Sequence, residues 1–377
     1  MNISDLSGKK IAITGATGFI GCRFVETLLL NKVDCKISAL IRNYSSLAHL
    51  ARFKSIEYTF GNLDQKEIID KFVKDADYVV HLGYDPSSLK TNINSIKYLS
   101  ESCMKYDKKL IHTSTISVYE PFNTDTITEN VEYDGSIFEY GKRKRLIEEK
   151  VYKYIKKGLK AVILQPTIVY GPFSGPWTDR TCNQLLSGTI VLPNGGSGIC
   201  NPVYVYDVVH AIFNAILSPE SSGERFLISG PDNVTWGEYY NVFEKILGTS
   251  SVIYKNESEI KNSHFNPIKS IRLILGDPKR AFDWEPMKSF LQSIKYSIPG
   301  KYRTLIKNIH FSYRKIAPAP IYMPNKQMLA LFSSNAVVDI SHAKNKLGYD
   351  PKYSFEDGMK RTAEYIRWAF PRPFDFK

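Results

Sequence analysis

No run of apolar residues in this chain approaches the roughly 18 that cross a bilayer, although 43% of its 377 residues are hydrophobic. Met1 to Lys10 is polar and has no apolar stretch of the secretory-leader kind. Cysteine is scarce and scattered. Cys22, Cys35, Cys103, Cys182 and Cys200 are odd in number and contain no CxxC pair, which argues against a disulfide framework or a zinc site and for a reducing compartment. The expectation is a cytoplasmic protein without a metal. Nor does any nucleic-acid-binding motif accompany the net charge of +12, so nucleic acid is not an expected partner.

What is there begins at residue 11. Ile11-Ala12-Ile13-Thr14 is a short β-branched run. It enters a turn with glycines at 15, 18 and 21, and Phe24, Val25, Leu28 and Leu29 follow at helical spacing. Strand, glycine turn and helix in that order form a dinucleotide cradle: Gly15 permits the turn, Gly18 lets backbone approach a pyrophosphate, Gly21 lets helix pack on strand, and the helix N-terminus attracts the anion. Lys36 to Ile41 reads as a second strand ending at Arg42, with Ser45 and Ser46 beyond. An acid at that end suits the ribose of NAD, whereas an arginine suits the extra phosphate of NADP. NADP is therefore the expected cofactor and NAD the alternative. Further strands at Ile56–Phe60, Ala76–Gly83 and Lys109–Ser114 alternate with helical runs, which predicts a parallel, doubly wound α/β sheet. His81, within an apolar strand, reads as structural.

Tyr140 and Lys144 stand four residues apart on a helical pattern, twenty-five residues beyond Thr115. That spacing puts them on one helix face. An ammonium there is expected to lower the phenol's pKa and ready it for proton transfer, while the Thr115 hydroxyl polarises the same substrate oxygen. In a chain with 24 tyrosines, the pair gains weight from lying downstream of the glycine turn and of a strand that ends in hydroxyls.

With these motifs in order, the chain resembles the extended short-chain dehydrogenase/reductases, the superfamily of nucleotide-sugar epimerases, dehydratases and reductases. The resemblance is carried by TGATGFIG at 14–21, GNLD at 61–64, VVHLG at 79–83, TSTISVY at 113–119, YGKRK at 140–144 and LQPTIVYGP at 164–172. It continues in NPVYVYDVVHA at 201–211, LISGPDNVTWGE at 227–238 and VDISHAKNKLGYDP at 338–351. It implies a Rossmann-type domain over 1–170, with 203–229 returning to it, and a smaller substrate lobe from 171–202 and 230–377. It also implies a catalytic Thr115, Tyr140 and Lys144, with Lys144 also on the nicotinamide ribose. The implied cofactor contacts are Gly15, Thr17, Gly18, Phe19, Ile20, Gly21, Arg42, Asn62, Leu63, Asp64, Leu82, Gly83, Thr113, Tyr140, Lys144, Pro166, Thr167 and Ile168. Asn92 would support the site. Ser114, Thr115, Tyr140, Trp177 and Asn201 would meet the substrate, and a homodimer is implied.

Departures narrow the chemistry. Related dehydratases carry an Asp-Glu pair after the threonine, decarboxylases a glutamate and fucose-type enzymes a cysteine at the second position. Here Ile116-Ser117 stands instead. What remains is hydride transfer plus one proton: reduction of a nucleotide-linked keto sugar first, a 4-epimerase with bound NAD or a reductase of a steroid-like ketone as alternatives. A non-catalytic nucleotide binder has no use for Tyr140 or Lys144. Cys200-Asn201-Pro202 replaces an arginine that many relatives use for the diphosphate.

The stretch of about 250–335 reads as a basic insertion. Between Lys255 and Lys315, thirteen Lys/Arg face five acids, a surplus of +8. Met287, Phe290, Leu291, Ile294 and Ile298, then Leu305, Ile306, Ile309, Tyr313 and Ile316, predict a helical hairpin. Packing into the substrate lobe is favoured over a membrane surface.

Overall fold

The computed structural model describes residues 3–42, 47, 49–53, 55–132, 138–264 and 319–371. Seven parallel strands form the central sheet: β1 (Lys10–Thr14), β2 (Lys36–Ile41), β3 (Ile56–Phe60), β4 (Tyr78–His81), β5 (Lys109–Thr113), β7 (Ala161–Pro166) and β11 (Arg225–Ile228). Their spatial order is β3-β2-β1-β4-β5-β7-β11. The order reverses direction between β1 and β4, and in open α/β sheets ligands bind in the crevice at the carboxyl ends there.

Strand composition explains the two covered faces. Ile11 and Ile13 of β1 join one buried cluster, with Phe24 and Val25 of α1 (Phe19–Leu30) and Ile212 of α6 (Val205–Leu217). Ala12, between them, joins the other cluster, with Leu40, Val79, Leu110 and Ile163. That second face is covered by α2 (Lys66–Lys74), α3 (Leu89–Lys105) and α4 (Glu139–Ile155), with α2 packed on α3 and α3 on α4. Alternating side chains that are apolar on both faces need this double cover.

The rest of the described chain forms smaller sheets. β8 (Ile168–Tyr170) pairs with β10 (Pro202–Tyr204), and β6 (Thr126–Ile127) with β14 (Val337–Val338). β9 (Thr189–Pro193), which follows α5 (Arg180–Ser187), lies between β12 (Val252–Lys255) and β13 (Ile321–Tyr322). An aromatic core of Trp236, Tyr239, Tyr240 and Phe332 joins α7 (Trp236–Leu247) to α9 (Lys326–Ser333). A Thr235–Glu238 capping box starts α7, and Gly248, at φ 67°, ends it. The last helix, α10 (Phe355–Ala369), lies against α7.

Within the expected basic insertion, β12, α8 (Glu257–His264), β13 and α9 are described. The expected helical hairpin lies outside the described residues, as do Ser45 and Ser46. Among the described residues, no helix is long and apolar enough to cross a membrane, and no group of His, Cys, Asp and Glu side chains could hold a metal ion. All five cysteines are free thiols.

Candidate active site

The site is built along the carboxyl edge of the central sheet. After β1, Gly15 takes φ 73°, and a Cβ there would lie 2.6 Å from the Gly83 amide nitrogen. A Cβ on Gly21 would lie 2.2 Å from the Gly15 carbonyl oxygen. Two backbones thus touch at positions where only glycine fits. The Thr14 hydroxyl accepts from the Gly83 amide (3.3 Å) and donates to His81 Nδ1 (2.6 Å), tying the turn after β4 to the turn after β1. His81 is buried, and burial holds its pKa down to about 3, so the ring is a neutral strut.

α1 begins at Phe19 behind Gly18, which offers no side-chain cap. Its first-turn amides remain available for an anion. Thr17, Phe19 and Ile20 are half-buried around this opening. Arg42 is exposed at the end of β2, close enough to Asp85 for its charge to help hold that carboxyl low, behind hydrogen bonds from Ser87. After β3, the Asn62 amide donates to Gln65, and Asp64 accepts from Thr91 at the start of α3 (3.3 Å). Leu63 packs beside Gly83. Asn92 is buried; it accepts from the Asp85 amide (2.8 Å) and donates to the Asp85 and Ser88 carbonyls, fixing the loop between β4 and α3. Thr167, after β7, hydrogen-bonds Ile228 and Ser229, with Pro166 and Ile168 beside it in the strands. Leu82, Gly83, Thr113, Pro166 and Thr167 therefore all lie where successive strands end.

These residues fit a dinucleotide. The glycine cradle is shaped by contacts that a Cβ would break, the α1 amides are uncapped, and the Thr113 hydroxyl is buried without a protein partner.

β5 delivers the reacting groups. Beyond Thr113 and Ser114, Thr115 caps a short 3-10 turn (Ile116–Tyr119), accepting from the Ser117 amide at 3.3 Å. The Thr115 hydroxyl also hydrogen-bonds the Tyr140 phenol. α4 carries Tyr140 and Lys144 on one face, as the spacing predicts. The expected lowering of the phenol's pKa does not occur. Burial pushes Tyr140 up to about 12, with Tyr84 and Glu120 adding to the rise and Thr115 opposing it. The residue as a whole is 41% exposed, but its hydroxyl is the desolvated end. The reason for the difference is where the ammonium sits. Lys144 Nζ donates to the Thr113 carbonyl (3.0 Å) and lies 5.2 Å from the centre of the Tyr84 ring. Its own pKa is pushed down to about 8 by burial, with Glu148 opposing the fall.

Four neighbours escaped the sequence reading. Tyr84 stands edge-on to Tyr140, with ring centres 5.8 Å apart. Glu148, one turn beyond Lys144, is buried, and its raised pKa comes first from that burial. It accepts from Gln165 (3.0 and 3.1 Å), which in turn accepts from Tyr119. Glu120, also buried, accepts from Ser117 and Gln327. Helical spacing from Lys144 would have flagged Glu148; Gln165 and Glu120 had no local signal. Glu148 also lines a cavity of about 410 Å³ with Arg145, Tyr152 and Arg225, which contains none of the expected site residues.

Two expected substrate contacts hold structure instead. Asn201, at φ 50°, donates to the Ala336 carbonyl (2.8 Å) and accepts from the Val338 amide (3.1 Å), so its amide is spent pinning the segment after α9. Trp177 stacks on Trp236 (5.5 Å), and its carbonyl accepts from the Tyr239 hydroxyl. Ser114, by contrast, is buried beside Glu148 at the end of β5, next to Thr115.

A family model described as the NAD dependent epimerase/dehydratase family matches residues 11–229. The chain belongs to that family. It is an NAD(P)-dependent enzyme of the extended short-chain dehydrogenase/reductase type. Among curated relatives, it is 24% identical to 3beta-hydroxysteroid-dehydrogenase/decarboxylase isoform 1 of Arabidopsis thaliana, across 93% of this chain and 78% of that one. Among solved structures, it is similar to UDP-glucose 4-epimerase of Thermotoga maritima with UDP-glucose (TM-score 0.66, 22% identity, 96% and 99% of the chains). It is also similar to dTDP-glucose 4,6-dehydratase of Bacillus anthracis in complex with NAD (TM-score 0.64, 18% identity, 96% and 97%). The enzyme thus shares its Rossmann architecture with epimerases and dehydratases alike.

Proposed function

We propose that the enzyme is an NADP-dependent reductase of a nucleotide-linked keto sugar. The observation that carries this is the Thr115–Tyr140 hydroxyl pair, with the phenol held in its protonated, donor form. The bound nicotinamide supplies a hydride to the carbonyl carbon. Tyr140 donates its proton to the carbonyl oxygen, and Thr115 hydrogen-bonds the same oxygen as charge develops there. Lys144 orients the cofactor ribose and offsets the tyrosinate charge. Exposed Arg42 at the end of β2 supports NADP over NAD, since its guanidinium can clamp a ribose phosphate.

The test is loss of NADPH absorbance with a panel of 4-keto nucleotide sugars. Turnover on at least one is expected; none across the panel, from folded protein that binds NADPH, overturns the reading. A 4-epimerase with retained NAD is the second reading. It is supported by the Thermotoga protein named as a UDP-glucose 4-epimerase and by NAD in the Bacillus dehydratase. The nucleotide released from purified enzyme separates the two: stoichiometric NAD favours the epimerase. Sedimentation of the same sample checks the homodimer implied by the resemblance.

A further inference from the structure

A buried carboxyl group beside the reacting phenol has no part in the mechanism above. Glu120 follows the 3-10 turn that starts at Thr115, and its side chain is only 5% exposed. One carboxyl oxygen accepts from the Ser117 hydroxyl at 2.9 Å. The other accepts from the Gln327 side-chain amide at 2.8 Å, across 207 positions of sequence. The groups that face it are therefore Ser117 from its own turn, Gln327 from α9 and Tyr140 from α4. Among the described residues, no cation acts on it, so burial dominates and its pKa lies above the ordinary carboxylate value. An ionisable group without a counter-charge, clamped from two distant segments and placed at a reaction centre, is a costly arrangement for structure alone.

We propose that Glu120 is a positioning residue for Tyr140: clamped by Ser117 and Gln327, its carboxylate keeps the phenol proton in place and biases the site toward proton donation. Physically, a carboxylate near a phenol destabilises the phenolate, so the proton is held until a developing alkoxide draws it away. The bias favours carbonyl reduction over alcohol oxidation, and in that respect it rests on the reductase reading. Gln327 ties the same group to α9 of the substrate lobe, so the placement of α9 sets how firmly the carboxylate is held.

The experiment uses full-length enzyme with its tyrosines labelled with ¹³C at Cζ, the Tyr140 resonance being assigned from Tyr140→Phe. In the wild type, that resonance is expected to step as Glu120 ionises, in the weakly acidic range above the ordinary carboxylate value. Glu120→Gln, which keeps shape and hydrogen bonding, is expected to abolish the step. Should that variant fail to fold, Gln327→Met serves instead: loss of a donor to the carboxylate is expected to move the step to higher pH. A Tyr140 resonance with no step, or one unchanged in a folded variant, overturns the proposal. This arm needs no substrate, so it stands or falls separately from the reductase reading. With an accepted substrate in hand, Glu120→Gln is expected to move the alkaline limb of alcohol oxidation down by about 1 pH unit, the scale of one nearby charge. It is also expected to raise oxidation relative to reduction, which a merely structural role would not do.

Discussion

The cofactor edge and the substrate lobe are built in opposite ways. At the cofactor edge, Gly15, Gly18 and Gly21 lie within one strand-turn-helix unit, and a Cβ on Gly21 would strike the carbonyl of Gly15 six residues back. In the substrate lobe, the decisive contacts span the chain. Gln327 reaches Glu120 across 207 positions, the Tyr170 hydroxyl reaches the Phe355 carbonyl across 185, and Asn201 reaches Ala336 across 135. Short-range geometry therefore prepares the nucleotide's place, while long-range packing sets what the reacting groups feel.

The largest expected effect tests whether the two regions can be separated. Tyr140→Phe removes the proton donor and leaves the glycine cradle intact. It should lower turnover by roughly 10²–10⁴-fold, the range for general acid catalysis, with NADPH binding unchanged by calorimetry. Surviving activity would put the acid elsewhere.

Gly15→Ala attacks the other side. A methyl group at φ 73°, 2.6 Å from the Gly83 nitrogen, should destabilise the fold by about 1–3 kcal/mol and abolish cofactor binding. A denaturant melt and a binding isotherm report both. If binding persisted, the turn would be more plastic than its contacts imply.

Arg42→Ala asks how much of the cofactor edge is charge rather than shape. If the guanidinium clamps the ribose phosphate, affinity for NADPH should fall about ten- to a hundredfold, with NADH barely affected. Equal losses would make Arg42 structural.

Lys144 joins the two regions and gives a pH test. Burial pushes its pKa down to about 8, so the ammonium is present below that pH and lost above it. Cofactor affinity should decline as pH rises through about 8, and Lys144→Met should flatten the profile at a weaker level. A decline that survives in the variant would have another source.

Asn201→Ala is the smallest and the most confined. It leaves a buried carbonyl and amide unpaired, at a cost of about 1–3 kcal/mol, and it should lower Tm without changing NADPH affinity. Weaker affinity instead would return Asn201 to the binding site.

Sequence alone determined the sheet and its active edge. β-branched runs at regular intervals, divided by helical periodicity, permit only a doubly wound parallel sheet. The motifs then fall at strand ends because they follow each run directly in the chain. The pairing of Tyr140 with Lys144 on one face was equally legible, since a helix fixes what lies four residues apart. Only the tertiary structure decided what that pair experiences. The ammonium turns to the Thr113 carbonyl and the Tyr84 ring, Thr115 takes the phenol, and a carboxyl group held by Gln327 comes up beside it. Asn201 and Trp177 were drawn into structural duty in the same way, by partners in α7 and in the segment beyond α9. A pKa depends on burial and charge summed over all neighbours, and neighbours recruited from more than a hundred residues away leave no periodicity or spacing to read.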